Sequence, residues 1–227
     1  MSPIGPTTVV IPVHNGAKYL AEAVESARRQ TLGAARIVII DDGSTDGTSE
    51  IAARFHDVTY ARQQHAGVAA ALNHGVRLAT DGFISFLSAD DVWCPDKLAL
   101  QHAALGASPE GRLVFGHMQH FISPEIAEEV AVRLYCPAEP MPAFSAGTML
   151  ATLDTVRAIG PFNENFKVGE FMDWYARARD LHREIVMLPD IVSMRRVHGA
   201  NFSTEALRTK TYVPVLKALL DRRRGAK

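Results

Sequence analysis

Val38-Ile39-Ile40-Asp41-Asp42-Gly43-Ser44-Thr45-Asp46-Gly47-Thr48 is an apolar, β-branched run that ends on two carboxylates and a glycine-, serine- and threonine-rich turn. β-Branched residues in an unbroken apolar run suit a strand buried on both faces, as in a parallel sheet. In an open parallel sheet, ligands bind just beyond the carboxyl ends of the strands. Two acids at that place suit a ligand offering hydroxyls, ring N–H groups or a bound cation, whereas a bare phosphate calls for the N–H groups of a glycine-rich loop. The plainer reading is an Asp-Gly turn in which Asp46 or Thr45 caps the next helix.

The same alternation extends outward through the first half. Residues 8–13 read as a buried strand, 14–16 as a turn, and 18–30 as a helix on the spacing of Leu20, Val24 and Ala27. Residues 36–40 form the second strand, 46–55 a helix, 58–62 a third strand and 68–78 an alanine-rich helix opening at Gly67. A fourth strand, 83–87, ends at Ser88-Ala89-Asp90-Asp91. This βαβα order predicts a parallel sheet flanked by helices on both faces. Beyond it, 95–105 reads as a helix with Pro95 in its first turn, 113–121 as a strand and 144–153 as extended. Residues 171–181 read as a helix, 185–188 and 191–197 as a closing strand pair or edge, and 209–224 as a terminal helix. No repeat, low-complexity stretch or linker divides the chain, so 1–227 is expected to be one domain.

Composition narrows the classes. The 227 residues are 47% hydrophobic and 22% charged, with a formal net charge of −1, so no basic field points to nucleic acid. The two cysteines, Cys94 and Cys136, lack metal-ligand spacing, which suggests a reducing, cytoplasmic setting. The start of the chain shows no secretory signal pattern, and no apolar run approaches the ~20 residues of a membrane span. Arg222-Arg223-Arg224 after an amphipathic segment allows peripheral contact with the inner face of a membrane, although a solvated helix end favoured by the helix dipole accounts for it better.

Asp41-Asp42 and Asp90-Asp91 therefore end two strands on one rim. Adjacent carboxylates repel unless a cation joins them, and Mg²⁺ or Mn²⁺ shared with a substrate phosphate is the expected solution. A capping role for Asp90 or Asp91 is the alternative.

On these residues the chain resembles the family 2 glycosyltransferases, over roughly 7–205. The elements occur in family order: Val10-Ile11-Pro12-Val13-His14-Asn15; Asp41 to Asp46; Gly67-Val68-Ala69-Ala70-Ala71-Leu72-Asn73-His74-Gly75; Phe86-Leu87-Ser88-Ala89-Asp90-Asp91-Val92-Trp93; and Gly160-Pro161-Phe162-Asn163-Glu164 before Gly169-Glu170-Phe171-Met172-Asp173-Trp174. The resemblance implies a single α/β domain of GT-A fold, with a Rossmann-like, mainly parallel sheet. Residues 7–105 would bind the nucleotide sugar and 106–205 the acceptor, with 206–227 as a C-terminal helix.

It further implies an inverting hexosyltransferase that moves a sugar from a nucleoside-diphosphate sugar to a hydroxyl acceptor, whether glycan, lipid-linked or small molecule, as in polysaccharide biosynthesis. Pro12, Val13, His14 and Asn15 would border the base, Asp42 would contact it, and Asp41 would hold the ribose or orient the loop. Gly67 and Asn73 would line the donor pocket, with Ser88, Ala89 and Asp90 beside the diphosphate. Asp90 or Asp91 would bridge Mg²⁺ or Mn²⁺ to that diphosphate. His198, between Arg195-Arg196 and Gly199, belongs to a segment that folds over the donor and would ligate the metal or a phosphate. His65, His74, His117 and His120 show no ligand spacing and read as structural or acceptor-side residues.

Three positions depart from the family pattern: Ser88 replaces a common aspartate, Leu72 a common arginine, and Phe171 the usual general-base aspartate. Glu170 and Asp173 remain as candidate bases, Glu170 favoured by its place ahead of the helix; a helix-end charge and an Arg177 ion pair are their plain alternatives. The departures also keep open a non-catalytic GT-A module that binds a nucleotide sugar or a partner protein. A nucleotidyltransferase is disfavoured, because Pro12-Val13-His14-Asn15-Gly16 is not a basic, glycine-rich phosphate loop.

Overall fold

The computed structural model describes residues 5–198 and 212–225, apart from the side chains of Arg223 and Gly225. In chain order the elements are β1 (Thr7–Val13), α1 (Leu20–Arg28), β2 (Arg36–Asp41), α2 (Thr48–Ala52), β3 (Thr59–Arg62), α3 (Val68–Leu78), β4 (Phe83–Phe86), β5 (Val92–Trp93) and α4 (Lys97–Leu105). There follow β6 (Arg112–Ile122), α5 (Glu128–Ala131), β7 (Met141–Ala143), a 3₁₀ turn (Ala146–Thr148), β8 (Leu150–Thr152), α6 (Leu153–Ile159), α7 (Glu170–Asp180), β9 (Glu184–Val197) and α8 (Val213–Gly225).

The strands form one sheet in the order β3-β2-β1-β4-β8-β6-β9-β5, with β7 added to β6. β3, β2, β1 and β4 are mutually parallel, so the turns after β1, β2 and β4 open on the same rim. β8 runs antiparallel to both β4 and β6, which turns the second half of the sheet into a mixed one. Side chains alternate across a strand. Val10 thus enters a core with Val38, Leu72, Phe86 and Trp174, while Val9 and Ile11 enter another with Leu20, Val24, Ile39 and Leu98. These cores lie on opposite faces of the sheet, as the unbroken apolar strands require.

Most first-half elements match the sequence reading, and α3 does so residue for residue. The second half holds two corrections. Residues 153–159 are helix α6, capped by Thr152, whose side chain accepts the Thr155 N–H at 3.1 Å, so the expected extended stretch ends at Thr152. The expected strand pair or edge at 185–197 is instead a single strand, β9, lying parallel to β6 with register shifts on both sides of His117. Pro189 has no N–H to give the ladder, so the chain bulges there and pairing resumes at Ile191. The short β5 and β7 and helix α5 carried no legible periodicity. α8 covers 213–224 of the expected terminal helix and ends one residue later, and 209–211 lie outside the described residues.

Candidate active site

The rim after β1 and β2 is knitted by polar side chains. Asn15 holds the left-handed conformation at φ 53°, its N–H donates to Ser44 Oγ at 2.9 Å, and its Oδ1 accepts the Thr45 N–H at 2.8 Å. Gly16 N–H donates to Thr48 Oγ1 and Ala17 N–H to Asp46 Oδ2, which also ties Asp46 into the rim. Asp46 further accepts the Thr48 N–H at 3.0 Å, so the expected helix-start role is present as well.

Asp41 is fully buried. Its Oδ1 accepts the Ser44 N–H at 2.7 Å and its Oδ2 the Tyr60 hydroxyl at 2.5 Å. Burial acts to raise its pKa, but the Tyr60 and Ser44 hydrogen bonds and the Arg62 charge outweigh that and hold it below the usual range. Burial and this carboxylate push the Tyr60 hydroxyl up to about 12. Asp41 thus orients the loop, one of the two roles expected of it.

Asp42 is turned inward and only 3% exposed. Its Oδ1 accepts Ala66 N–H and Gln63 Nε2, and its Oδ2 accepts Gly67 N–H at 2.8 Å and lies 2.9 Å from His65 Nδ1. The four acceptor positions of the carboxylate are therefore in use, one of them by the exposed His65. Two glycines make this possible. Gly67 has φ 94°, and a Cβ on Gly43, at φ 76°, would sit 2.9 Å from the His65 amide nitrogen. His14 Nδ1 donates to the Asp42 carbonyl at 2.8 Å, and its ring stacks on that of His65 with centroids 4.2 Å apart. His65, read from sequence as structural or acceptor-side, belongs to this rim; β3 brings it there, and nothing in its spacing marks it.

The acidic turn after β4 is built from two ends. β5 pairs antiparallel with β9 through Val92 with Met194 and Trp93 with Ser193. That pairing carries β9 back so that Arg196 N–H donates to Asp91 Oδ1 at 3.0 Å and His198 Nε2 lies 3.1 Å from Asp90 Oδ2. Arg196 is buried: Nε donates to the Asp90 carbonyl, Nη1 to Ser123 Oγ and Nη2 to Glu22, and its guanidinium lies 4.7 Å from both the Tyr19 and Phe121 rings. Sequence reading placed Arg196 beside His198 but missed Glu22 and Tyr19, because their contacts to Arg196 span more than 170 residues. Burial, with the neighbouring Asp90 charge second, pushes Asp91 up to about 8. Two oxygen donors and an imidazole, placed where a second negative charge is costly, fit a divalent cation. Ser88 is exposed and Ala89 half-buried beside them.

Two expected donor-pocket or catalytic residues have their side chains occupied elsewhere. Asn73 donates to the Phe162 carbonyl and Glu164 and accepts the Phe162 N–H, pinning α3 to the segment before α7. Asp173 is buried between Arg177 at 3.1 Å and Arg222 at 2.9 Å, the ion pair its plain alternative called for with α8 added. Arg222 also reaches Asp180, so the terminal basic cluster is partly spent on α7. Both Asn73 and Asp173 line a cavity of about 430 Å³ with Phe162 and Arg222. Glu170 opens α7, and burial pushes its carboxyl above the usual range. Leu72 and Phe171 are core residues, Phe171 lying among the rings of Phe115, Phe162, Trp174 and Tyr175. Trp93 is buried with Nε1 donating to the Gly147 carbonyl, and Trp174 with Nε1 donating to that of Gly160, so both are packing residues. Among the described residues no helix is long and apolar enough to cross a membrane.

A mainly parallel α/β sheet whose rim gathers one acid-bearing turn after β2 and another after β4 defines a GT-A fold. The comparison with solved structures agrees: S. aureus TarS superposes with a TM-score of 0.69 at 17% identity, over 85% of this chain and 37% of TarS. TarS residues 1–349 in complex with UDP-GlcNAc gives 0.69 over 88% of this chain. The chain belongs to the family described as glycosyl transferase family 2, whose model matches residues 8–128. A Rickettsia typhi protein named an uncharacterized glycosyltransferase is 27% identical over 215 residues, and this chain spans 66% of its length. A Mycobacterium bovis PGL/p-HBAD biosynthesis glycosyltransferase is 37% identical over 115 residues, 48% of this chain and 45% of that protein.

Proposed function

We propose that this glycosyltransferase moves a sugar, with inversion, from a nucleoside-diphosphate sugar to a hydroxyl acceptor, with Mg²⁺ or Mn²⁺ held by Asp90, Asp91 and His198. The observation that carries the reading is the return of β9, which brings His198 to Asp90 and Arg196 to Asp91 at the end of β4. A cation there acts as a Lewis acid that neutralises charge on the departing diphosphate. The base lies against Pro12, Val13, His14 and Asn15, and takes the place of His65 on Asp42. Gly67 opens the wall of that pocket, and Asp41 keeps the loop in shape. Solved neighbours carry UDP and UDP-GlcNAc, which makes a UDP-sugar the first donor to test. Glu170 is the proton acceptor for the acceptor hydroxyl, because burial raises its basicity in the direction general-base work at neutral pH requires.

Calorimetric titration of nucleoside diphosphates with and without Mn²⁺ tests the reading. One diphosphate is expected to bind tenfold or more tightly with Mn²⁺, and Asp90→Asn and Asp91→Asn are expected to abolish that gain while retaining the metal-free affinity. A metal-dependent gain that survives in both variants overturns the metal assignment. Nucleotide binding without detectable transfer or donor hydrolysis supports the non-catalytic alternative.

A further inference from the structure

The rim holds a second set of metal-type donors on the other side of the acidic turn. One ligand atom each from His14, Asp42 and His65 lies within 4.8 Å of the other two. Ligand atoms around a tetrahedral zinc ion stand about 3.3 Å apart, given bonds of about 2.0 Å. Small rotations of two exposed imidazoles cover that difference, while Asp42 stays fixed by Ala66, Gly67 and Gln63. The His14 tautomer is set as well. A carbonyl oxygen only accepts, so His14 Nδ1 carries the hydrogen it gives to Asp42 O, which leaves Nε2 with its lone pair in the neutral ring. Asn15 Nδ2 approaches that nitrogen only at 3.3 Å. In the tautomer that carries its hydrogen on Nε2, His65 presents the Nδ1 lone pair 2.9 Å from Asp42 Oδ2, so an ion bound between them replaces the His65 hydrogen bond and takes up the acceptor position it frees. A metal-binding histidine almost always has its other nitrogen held by a carbonyl or carboxylate, as His14 Nδ1 is by the Asp42 carbonyl.

We propose that His14, Asp42 and His65 bind a borderline transition-metal ion, Zn²⁺ above all, and that the bound ion shuts the nucleotide out of its base pocket. Two imidazoles and one carboxylate select zinc, nickel or copper over Mg²⁺, whereas the carboxylate-rich set at Asp90 and Asp91 suits Mg²⁺ or Mn²⁺. One rim thus carries two metal sites of opposite effect. The exclusion half rests on the proposed base position; the metal site itself does not.

Two titrations separate these halves. Calorimetry with ZnCl₂ alone, without nucleotide, is expected to show a site that weakens tenfold or more in His65→Ala and in His14→Ala and that persists in His198→Ala. His65 is 61% exposed, so its variant keeps the fold, and circular dichroism checks both variants. Unchanged zinc affinity in both, or loss in His198→Ala alone, overturns the site. UDP is then titrated with Mn²⁺, with and without saturating Zn²⁺. Weaker UDP binding under zinc in the parent, but not in His65→Ala, supports exclusion; equal binding overturns exclusion and leaves the site standing. Absence of UDP binding without zinc counts against the proposed function, and the first titration still judges the metal site.

Discussion

Glu170 and Asp173, three apart on α7, show how environment separates two carboxylates that sequence treats alike. Asp173 is committed to Arg177 and Arg222, and Glu170 is raised by burial. Glu170→Gln is expected to keep Mn²⁺ and nucleotide binding and to lose transfer by roughly 10²–10⁴-fold. Asp173→Asn is expected to leave the rate within about threefold, since it touches only arginines, while costing about 1.5–3 kcal/mol of stability through weakened charged hydrogen bonds. Donor hydrolysis followed beside thermal melting separates these outcomes without knowledge of the acceptor. A rate loss confined to Asp173→Asn would move the base to that residue.

Helix α3 lies flush on β1, and Gly75 is what lets it. A Cβ at Gly75 would stand 2.2 Å from Val10 Cγ1, and Val10 is fully buried in the central strand. Gly75→Ala therefore trades a helix-propensity gain of about 1 kcal/mol for overpacking of about 1–3 kcal/mol. The expected net effect is a melting temperature lower by a few degrees, partly restored by Val10→Ala in the same chain. A rise in melting temperature for Gly75→Ala alone would show that helix and strand separate without cost. Since Gly67, just ahead of α3, donates to Asp42, the seating of the helix also positions that hydrogen bond.

Across the whole molecule, α4 buries polar groups where its neighbours bury apolar ones. Lys97 Nζ, wholly buried, donates to Ser85 Oγ and Gln101 Oε1 and lies 4.0 Å from the Trp93 ring. Gln101 donates to the Val114 and Thr148 carbonyls, and His102 Nε2 lies 2.8 Å from Thr7 Oγ1. Burial, with the Lys97 charge second, lowers His102 to about 4 from 6.5. A group whose folded pKa is depressed in this way binds more protons unfolded, so stability is lost as pH falls through the window from 6.5 to about 4. The shift corresponds to about 3 kcal/mol at 1.36 kcal/mol per unit. Urea unfolding at pH 7 and at pH 4.5 is expected to show the loss in the parent and a smaller one in His102→Gln; equal losses would place the acid sensitivity elsewhere.

What the sequence determined by itself was the parallel half and its rim. Apolar β-branched strands, helix spacing and acids at strand ends are local signals, and they placed β1 to β4, α3, Asp41, Asp42, Asp90 and Asp91 without help from the fold. Tertiary structure decided which partners each of those groups takes up. Asp42 accepts from four donors drawn from residues 63–67, Asn73 holds Phe162, and Asp173 is held by Arg222 from α8, pairings that no spacing encodes. The same holds for His65 beside His14 and for Arg196 and His198 over the acidic turn, each delivered by a strand whose course depends on its neighbours. The second half was less legible because its strands are short or bulged, and pairing with β6, rather than local pattern, fixes where they lie.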